Sequence, residues 1–107
     1  MQDAFFIYVT AGNENEATSI ARTVVEERLA ACANLLGPIQ SIYWWNGLCS
    51  GNEVALVLKT SGACKDELVE RVKQLHAYDC PCIVCLPIVG GNPAFLDWLA
   101  AETRHKA

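Results

Sequence analysis

Charged side chains are scarce in this sequence. They make up 19% of its 107 residues, whereas 52% of the residues are hydrophobic. Because a disordered chain needs the opposite balance, the composition predicts a folded protein. Lysine and arginine number 8 against 12 aspartates and glutamates, which gives a net charge of −4. Without an excess of basic residues a phosphate-binding surface is disfavoured, so no nucleic acid is expected as a partner.

Uninterrupted apolar runs are also missing. Residues 29–52 and 80–96 carry no charge, but turn residues such as Gly37-Pro38 and Asn92-Pro93 break both stretches. Such breakers would leave backbone groups unpaired in lipid, so neither stretch is expected to span a membrane. The amino-terminal residues lack the basic head of a signal peptide, and the length suits one domain over residues 1–107. We therefore expect a cytoplasmic protein with no membrane partner.

Cysteine, in contrast, is abundant, with six residues. Without an export signal, reduced thiols are expected rather than a disulfide framework. Cys32 and Cys64 lie within or beside apolar helical patterns, where a free cysteine behaves as a small buried hydrophobe. Both are predicted to be structural.

The order of periodic segments predicts an α+β protein. Alternating apolar runs indicate strands, and apolar residues every three or four positions indicate helices. The predicted elements are a strand at 4–10, a helix from an Asn13 cap to about Cys32, strands at 39–45 and 53–60 joined through Asn46-Gly47, a helix from Ser61-Gly62 to about His76, a strand at 82–89 and a helix after Asn92-Pro93. This βαββαβ order is that of a ferredoxin-like fold, an antiparallel four-stranded sheet with both helices on one face, here followed by a C-terminal helix.

The second face of such a sheet needs a cover. Its strands are apolar enough to leave an exposed patch of several hundred Å² if nothing packs on it. Self-association would bury that patch, and the hairpin with Trp44 and Trp45 is the element expected to reach a neighbour.

The densest group of chemically active side chains lies between residues 76 and 85. Cys80 and Cys82 share one face of an extended segment, with Cα atoms roughly 6.5–7 Å apart. With the His76 imidazole nearby, two thiolates would suit a soft ion such as Cu(I) or Zn(II). The alternative is that the three side chains simply fill a sheet edge. Cys82 and Cys85 would point to opposite faces of a strand, so their spacing is a poor redox or zinc pair.

An enzyme is not expected. A Cys–His pair is a possible nucleophile, but nothing local supplies an oxyanion hole or an orienting group. Lys59, at the end of an apolar strand, is either an edge lysine or a pocket cation. Tyr43 and Trp45 are interpreted as core or interface residues rather than as a platform on which a ligand stacks. His105, in a polar tail, is expected to be solvated.

Several ordered motifs resemble the CutA divalent-cation-tolerance family. They are Ala30-Ala31-Cys32-Ala33-Asn34, Ser41-Ile42-Tyr43-Trp44-Trp45-Asn46-Gly47, Glu53 with Leu58-Lys59-Thr60, His76-x-Tyr78-x-x-Pro81, and Trp98. The resemblance covers almost the whole chain. It implies a ferredoxin-like subunit similar to the nitrogen-regulatory PII proteins, a homotrimer formed by edge-to-edge sheet pairing, and a role in metal-ion tolerance with copper binding in some members.

The sequence departs from the family pattern near the implied copper site. Ala77 stands where the family usually has proline, and Cys82 where it has glutamate. Val9 and Leu75 occupy positions at which some bacterial members carry a cysteine and a second histidine. Of that copper set only His76 remains. Two interpretations are open: Cys80 and Cys82 replace the missing ligands with softer ones, or the pocket serves something other than a metal.

Two functions follow as hypotheses. The first is a non-enzymatic homotrimer of metal homeostasis that binds copper or another divalent cation weakly through His76, Cys80 and Cys82, with no cofactor required for folding. The second is a PII-like signalling or interaction module. Its intersubunit clefts would hold a small anion or a protein partner and would be lined by Tyr43, Trp45, Lys59 and Tyr78.

Overall fold

The computed structural model of the protein describes residues 3–104. Along the chain the elements are β1 (Ala4–Ala11), α1 (Glu14–Glu26), β2 (Cys32–Trp44), β3 (Leu48–Ser61), α2 (Lys65–Leu75), β4 (Ile83–Pro87) and α3 (Pro93–Ala101). Among these residues, no helix has the length and apolar character that crossing a membrane requires.

The four strands form one sheet in the order β2-β3-β1-β4, and every neighbouring pair is antiparallel. The central strands β1 and β3 pair over their full overlap, from Ala4 opposite Ser61 to Ala11 opposite Val54. Strands β2 and β4 are the edges. This topology confirms the predicted ferredoxin-like fold with a C-terminal helix.

One face of the sheet carries the hydrophobic core. Alternation along β1 and β3 turns fully buried side chains such as Ile7 and Leu56 toward α1 and α2, because successive side chains of a strand point to opposite faces. The helices meet them with buried residues at three- and four-residue spacing, Ala17, Ile20, Ala21 and Val24 in α1 and Leu68 and Val72 in α2. Both helices therefore lie on one face, as predicted.

Helix α3 packs on the opposite face, over one end only. Thr103 Oγ1 lies 3.0 Å from Ser61 Oγ, and Lys59 Nζ lies 5.5 Å from the centre of the Phe95 ring. Ser61 and Lys59 alternate with the core residues Thr60 and Leu58, so they mark the face turned away from α1 and α2. The sheet's second face is thus partly covered within the chain, and its other end, near Tyr8 and Thr10, stays open.

Helix α1 is shorter than predicted. It ends at Glu26, and Arg28 adopts a left-handed backbone with φ of 60°. The Leu29 N–H donates to the Val24 carbonyl at 3.0 Å, which closes the helix end. Cys32 therefore begins β2 instead of lying in the helix, and it is partly exposed.

The hairpin strands are longer than predicted. β2 has 13 residues and β3 has 14, with an irregularity in their register between Leu35 and Gly37. Trp45, Asn46 and Gly47 connect them, and the last two have positive φ values of 53° and 117°. Asparagine and glycine tolerate positive φ, and their place in the loop confirms the predicted Asn-Gly hairpin. β4 begins one residue later than predicted, at Ile83, so Cys82 precedes the strand.

The amino-terminal cap of α1 gives a direct test of this local structure. Asn13 Oδ1 accepts the Glu16 N–H at 2.8 Å, whereas Asn15 is exposed in the first turn. We expect Asn13→Ala to lower the free energy of unfolding by about 1 kcal/mol, since a helix N–H loses its partner. Asn15→Ala, the matched control, should change it by less than about 0.5 kcal/mol. Urea unfolding at one fixed protein concentration measures both, and equal losses would contradict the capping role.

Candidate functional site

A groove of about 860 Å³ occupies the open end of the sheet's second face. Its walls come from β1, the β2–β3 hairpin and the loop before β4. The lining residues are Tyr8, Thr10, Ile39, Gln40, Ser41, Ile42, Tyr43, Trp44, Trp45, Cys49, Glu53, Tyr78, Asp79, Cys80 and Cys82. We refer to this set as the hairpin groove. It brings together five of the seven predicted site residues: Tyr43, Trp45, Tyr78, Cys80 and Cys82.

His76 anchors the loop that forms one wall. Its ring is buried, and Nε2 lies 2.7 Å from the Thr10 carbonyl oxygen. Because a carbonyl can only accept, Nε2 carries the proton. Nδ1 in turn accepts the Tyr78 N–H at 3.1 Å. Both ring nitrogens are thus engaged by backbone groups, and the ring joins the end of α2 to the end of β1.

Glu16 makes a second connection between the same segments. One carboxylate oxygen accepts the Gly12 N–H at 2.9 Å, and the other accepts the Ala77 N–H at 3.1 Å. Tyr78 closes over Gly12 so tightly that a Cβ at position 12 would lie 3.3 Å from the phenol oxygen. The two hydrogen bonds of Glu16 and the packing of Tyr78 on Gly12 therefore hold the loop after α2 against the loop after β1.

Tyr78 faces a carboxylate in the groove. Its hydroxyl donates to Glu53 Oε2 at 3.3 Å. The pKa of Tyr78 is raised above its usual value, first by burial and then by the negative charge and hydrogen bond of Glu53, with smaller contributions from Glu16 and Tyr43. These contributions place Tyr43, Tyr78 and Glu53 in one electrostatic environment.

The three predicted metal ligands are not gathered around one point in a single chain. Among residues 3–104, no group of three or more His, Cys, Asp or Glu side chains is placed to hold a metal ion. Cys80 and Cys82 are exposed on the groove, but His76 is buried with both nitrogens hydrogen-bonded. Metal binding by these three side chains therefore stays a prediction, and in the single chain only the two thiols are open to a ligand.

Lys59 does not line the groove of the single chain, so its predicted place in an intersubunit cleft stays a prediction. In the register it lies opposite Phe6 and Cys32, six residues along β3 from Glu53, which is roughly 20 Å. Its ammonium group sits over the Phe95 ring of α3. Lys59 thus belongs to the covered end of the same sheet face. His105, the other lone candidate, lies outside the described residues.

Sequence reasoning missed several groove residues. Glu53 is the main one, together with Tyr8, Cys49 and Asp79. Glu53 lies opposite Ile39 in the hairpin, so its side chain points to the same face as Ile39 and Tyr43. Counting outward from the Asn46-Gly47 turn is the step that could have placed it in the groove. Cys49 is less accessible to ligands, because its thiol donates to the Trp45 carbonyl at 3.3 Å.

The electrostatic character of the groove is acidic. Its lining includes the carboxylates of Glu53 and Asp79, and none of the lysines, arginines and histidines that the structure describes belongs to it. Together with its aromatic and thiol side chains, this charge makes the groove suited to cations and soft metal ions rather than to anions. A ferredoxin-like subunit with an acidic, aromatic groove at the open end of its sheet is therefore a candidate binding protein.

Comparison with known proteins identifies the family. Residues 5–102 match the family model described as "CutA1 divalent ion tolerance protein". A divalent-cation tolerance protein CutA of Thermus thermophilus is 45% identical over 98 residues, which cover 91% of this chain and 95% of that protein. The chain belongs to the CutA1 divalent ion tolerance family.

Solved structures agree with this assignment. The Cut A1 protein of Thermus thermophilus aligns with a TM-score of 0.91 and 43% identity, covering 94% of this chain and 99% of that one. CutA1 of Oryza sativa aligns with a TM-score of 0.95 and 39% identity, covering 98% and 97%.

Some relatives are longer than this chain. The curated chloroplastic CutA 1 of Oryza sativa is 41% identical over 100 residues, which cover 92% of this chain and 56% of that protein. The chain thus spans just over half the length of that relative. An Archaeoglobus fulgidus structure with 40% identity is described as a periplasmic CutA, and it aligns over 92% of this chain and 97% of that one with a TM-score of 0.89.

The anchoring of His76 predicts a large effect on stability. His76→Ala removes the partners of the Thr10 carbonyl and the Tyr78 N–H, and an unpaired buried polar group costs about 1–3 kcal/mol. Tyr78→Phe removes only one exposed hydroxyl bond, so we expect a loss below about 1 kcal/mol. Urea unfolding compares the two variants. A loss for His76→Ala no larger than that for Tyr78→Phe would contradict the anchoring role.

The raised pKa of Tyr78 predicts a pH effect. The pKa of Tyr78 is higher in the folded than in the unfolded protein, so folding favours the neutral phenol. Its contribution to the free energy of unfolding is fully present below pH 10.0, the ordinary tyrosine pKa, and is lost as pH rises through the folded-state pKa. Glu53→Gln should lower the pKa of Tyr78, because it removes a negative charge. The difference in ultraviolet absorbance between each protein and its Tyr78→Phe counterpart, followed during an alkaline titration, measures this ionisation.

Glu26→Gln is the control for that titration. Glu26 is exposed at the far end of α1, ten residues along the helix from Glu16, or roughly 15 Å. It should leave the titration of Tyr78 unchanged. An equal shift in both variants would mean that net charge, and not Glu53, raises the pKa.

Proposed function

We propose that this chain contributes to divalent-cation tolerance as a non-enzymatic homotrimer that binds a transition metal weakly at the hairpin groove. The observation that carries the proposal is the pair of exposed thiols, Cys80 and Cys82, on an acidic groove. Family membership supports the role in tolerance. The metal is cargo, and folding does not require it.

The two thiols favour a soft ion. Thiolate ligands select Cu(I) and Zn(II), and the former can be held by as few as two of them. His76 becomes a third ligand only where its ring gives up the Tyr78 N–H bond at Nδ1. Weak binding follows, because each incoming ion would have to displace that bond or accept a site with two protein ligands.

Exposed apolar side chains support self-association. The edge strand β2 exposes Leu35 and Leu36, and the other edge, β4, exposes Val84 and Leu86. At the hairpin tip, Trp44 is 77% exposed. Edge strands with such side chains are templates for pairing with another chain. A trimer joined through β2 and β4 would bury them, so we propose that the functional unit is the trimer.

The thiol hydrogen bonds found among residues 3–104 all go to backbone carbonyls and none to a base, which supports a binding role. Activation of a thiol needs a base within hydrogen-bond reach. His76, the one histidine of the described residues, directs both nitrogens at backbone groups. We therefore propose that the protein is not an enzyme. A cytoplasmic location is proposed on the abundance of cysteine, which is typical of a reducing compartment when the thiols are unpaired.

A second candidate function is a PII-like binding or signalling module. The size of the hairpin groove favours it, since about 860 Å³ exceeds what a bare ion occupies. A small anion is not supported as its ligand, because Lys59 lies outside the groove and the lining carries carboxylates. A protein partner reaching the exposed hairpin tip is the other form of this function.

Native mass spectrometry of the reduced protein with Cu(I) and Zn(II) tests the leading proposal. We expect a trimer that takes up one ion per subunit. Cys80→Ser with Cys82→Ser should abolish this uptake. Cys85→Ser is the matched control, because Cys85 packs against the core on the other face and burial raises the pKa of its thiol.

Acid should weaken the uptake, because thiols must ionise to bind a metal. Affinity measured from mildly basic to acidic pH is therefore expected to fall. A trimer that stays empty, or that binds equally well without Cys80 and Cys82, would overturn metal binding at this site. A monomer at all concentrations would overturn the trimer.

A further inference from the structure

We propose that the hairpin groove binds an organic ammonium cation, a small molecule with a positively charged nitrogen and an apolar body. This inference rests on the second of the two proposed functions, the binding module, and it names the class of ligand. It does not depend on metal binding by Cys80 and Cys82.

The sign of the ligand charge follows from the groove's ionisable side chains. Glu53 and Asp79 line it, and no lysine, arginine or histidine among residues 3–104 does. An anion would meet two carboxylates and no cation of that part of the chain, so its entry would be opposed. A cation would meet Glu53, whose Oε2 is fixed by the Tyr78 hydroxyl at 3.3 Å. Glu53 therefore supplies a counter-charge that lies next to an aromatic ring of the groove.

Aromatic rings supply the second element of recognition. Tyr8, Tyr43, Trp45 and Tyr78 line the same groove as Glu53. The face of an aromatic ring attracts a cation through its quadrupole, and quaternary ammonium groups are recognised by aromatic cages for this reason. Lys59 over Phe95 shows the same kind of contact elsewhere on this sheet face, made there by a residue of the chain itself.

The volume distinguishes an organic cation from an inorganic one. Ligand pockets for small molecules span about 300–1,000 Å³, and the hairpin groove lies within this range at about 860 Å³. Ile39 and Ile42 add apolar surface to its lining. A bare ion would leave most of this surface uncovered, whereas an ammonium group with an apolar body would cover it.

Hydrogen bonds hold the loop that forms one wall of the groove. Glu16, which is not among the lining residues, accepts the Gly12 and Ala77 N–H groups with its two carboxylate oxygens. Together with His76, these bonds position the backbone that carries Tyr78. An aromatic ring positioned before the ligand arrives lowers the ordering cost of binding.

Choline and its neutral isostere 3,3-dimethyl-1-butanol are the probes for the test. The two molecules have nearly the same shape and differ in the charge of one atom. Titration of the full chain is followed by calorimetry and by tryptophan fluorescence, to which Trp44 and Trp45 of the groove lining contribute. We expect choline to bind at least about tenfold more tightly than the neutral isostere.

Matched variants locate the site. Glu53→Gln keeps the shape of the side chain and removes its charge, and it should weaken choline binding by about tenfold or more. Trp45→Leu should weaken it as well. Glu70→Gln is the control, because Glu70 is exposed on α2, across the sheet from the groove, next to Lys73. It should leave choline binding unchanged.

The outcomes separate this proposal from those on which it rests. Equal affinity for both probes, or unchanged choline binding in Glu53→Gln, would overturn the cation proposal while keeping a ligand-binding groove. No binding of either probe would overturn both the cation proposal and the small-molecule form of the module. Retained choline binding in the Cys80→Ser, Cys82→Ser double variant would support a site distinct from the metal thiols, and its loss would overturn that independence.

Discussion

The buried ring of His76 is the contact on which the candidate site depends. The loop between α2 and β4 is exposed from Ala77 to Cys80, so it gains little from burial of its own side chains. Its position comes instead from polar contacts with the end of β1, through the Thr10 carbonyl and through Glu16. A neutral imidazole suits this task because it donates from one nitrogen and accepts at the other, so a single side chain satisfies a carbonyl and an N–H that would otherwise be unpaired. These contacts hold the loop beside the sheet face. They thereby position Tyr78, Cys80 and Cys82 along the groove.

The division of the second sheet face explains why a groove exists there at all. A four-stranded sheet with two helices on one side leaves its other side apolar and bare. In this chain α3 covers the end that contains Ser61 and Lys59, through contacts of Thr103 and Phe95. The helix is only nine residues long and cannot reach the hairpin. What it leaves uncovered is bordered by the long β2–β3 hairpin, which extends beyond the helices. Because α3 covers one end of this sheet face and the β2–β3 hairpin borders the other, the uncovered surface between them is concave.

Most of the fold could be predicted because its boundaries carry local signals. Asn13 with Glu16, Asn46-Gly47 and Asn92-Pro93 each specify a cap or turn through their own backbone chemistry. The end of α1 could not be predicted, because an arginine in a left-handed conformation gives no such signal. Its carbonyl accepts the Arg104 N–H, a partner 76 residues away along the chain. The same limit applies to the site. The hairpin groove brings Tyr43, Trp45 and Tyr78 together. The contact of His76 with Thr10 could not be predicted, because the two residues are 66 positions apart in the sequence. The distance of Lys59 from the groove could not be predicted either, because it depends on the register of a long strand.

The register irregularity between Leu35 and Gly37 exchanges the two faces of β2, so that side chains of the opposite parity lie on each face after it. Before it, even-numbered residues such as Cys32 and Asn34 lie opposite Lys59 and Val57, on the face away from α1 and α2. After it, odd-numbered residues occupy that face, as Ile39 opposite Glu53 and Tyr43 opposite Cys49 show. A strand paired without the extra residue would place even-numbered residues opposite Glu53 and Cys49, and Tyr43 would point to the other face. The phenol of Tyr43 therefore shares the face of Glu53 because of one extra residue several positions before the hairpin turn. A single-residue deletion there would change which side chains of β2 share that face, although the later residues of the strand would keep their identity.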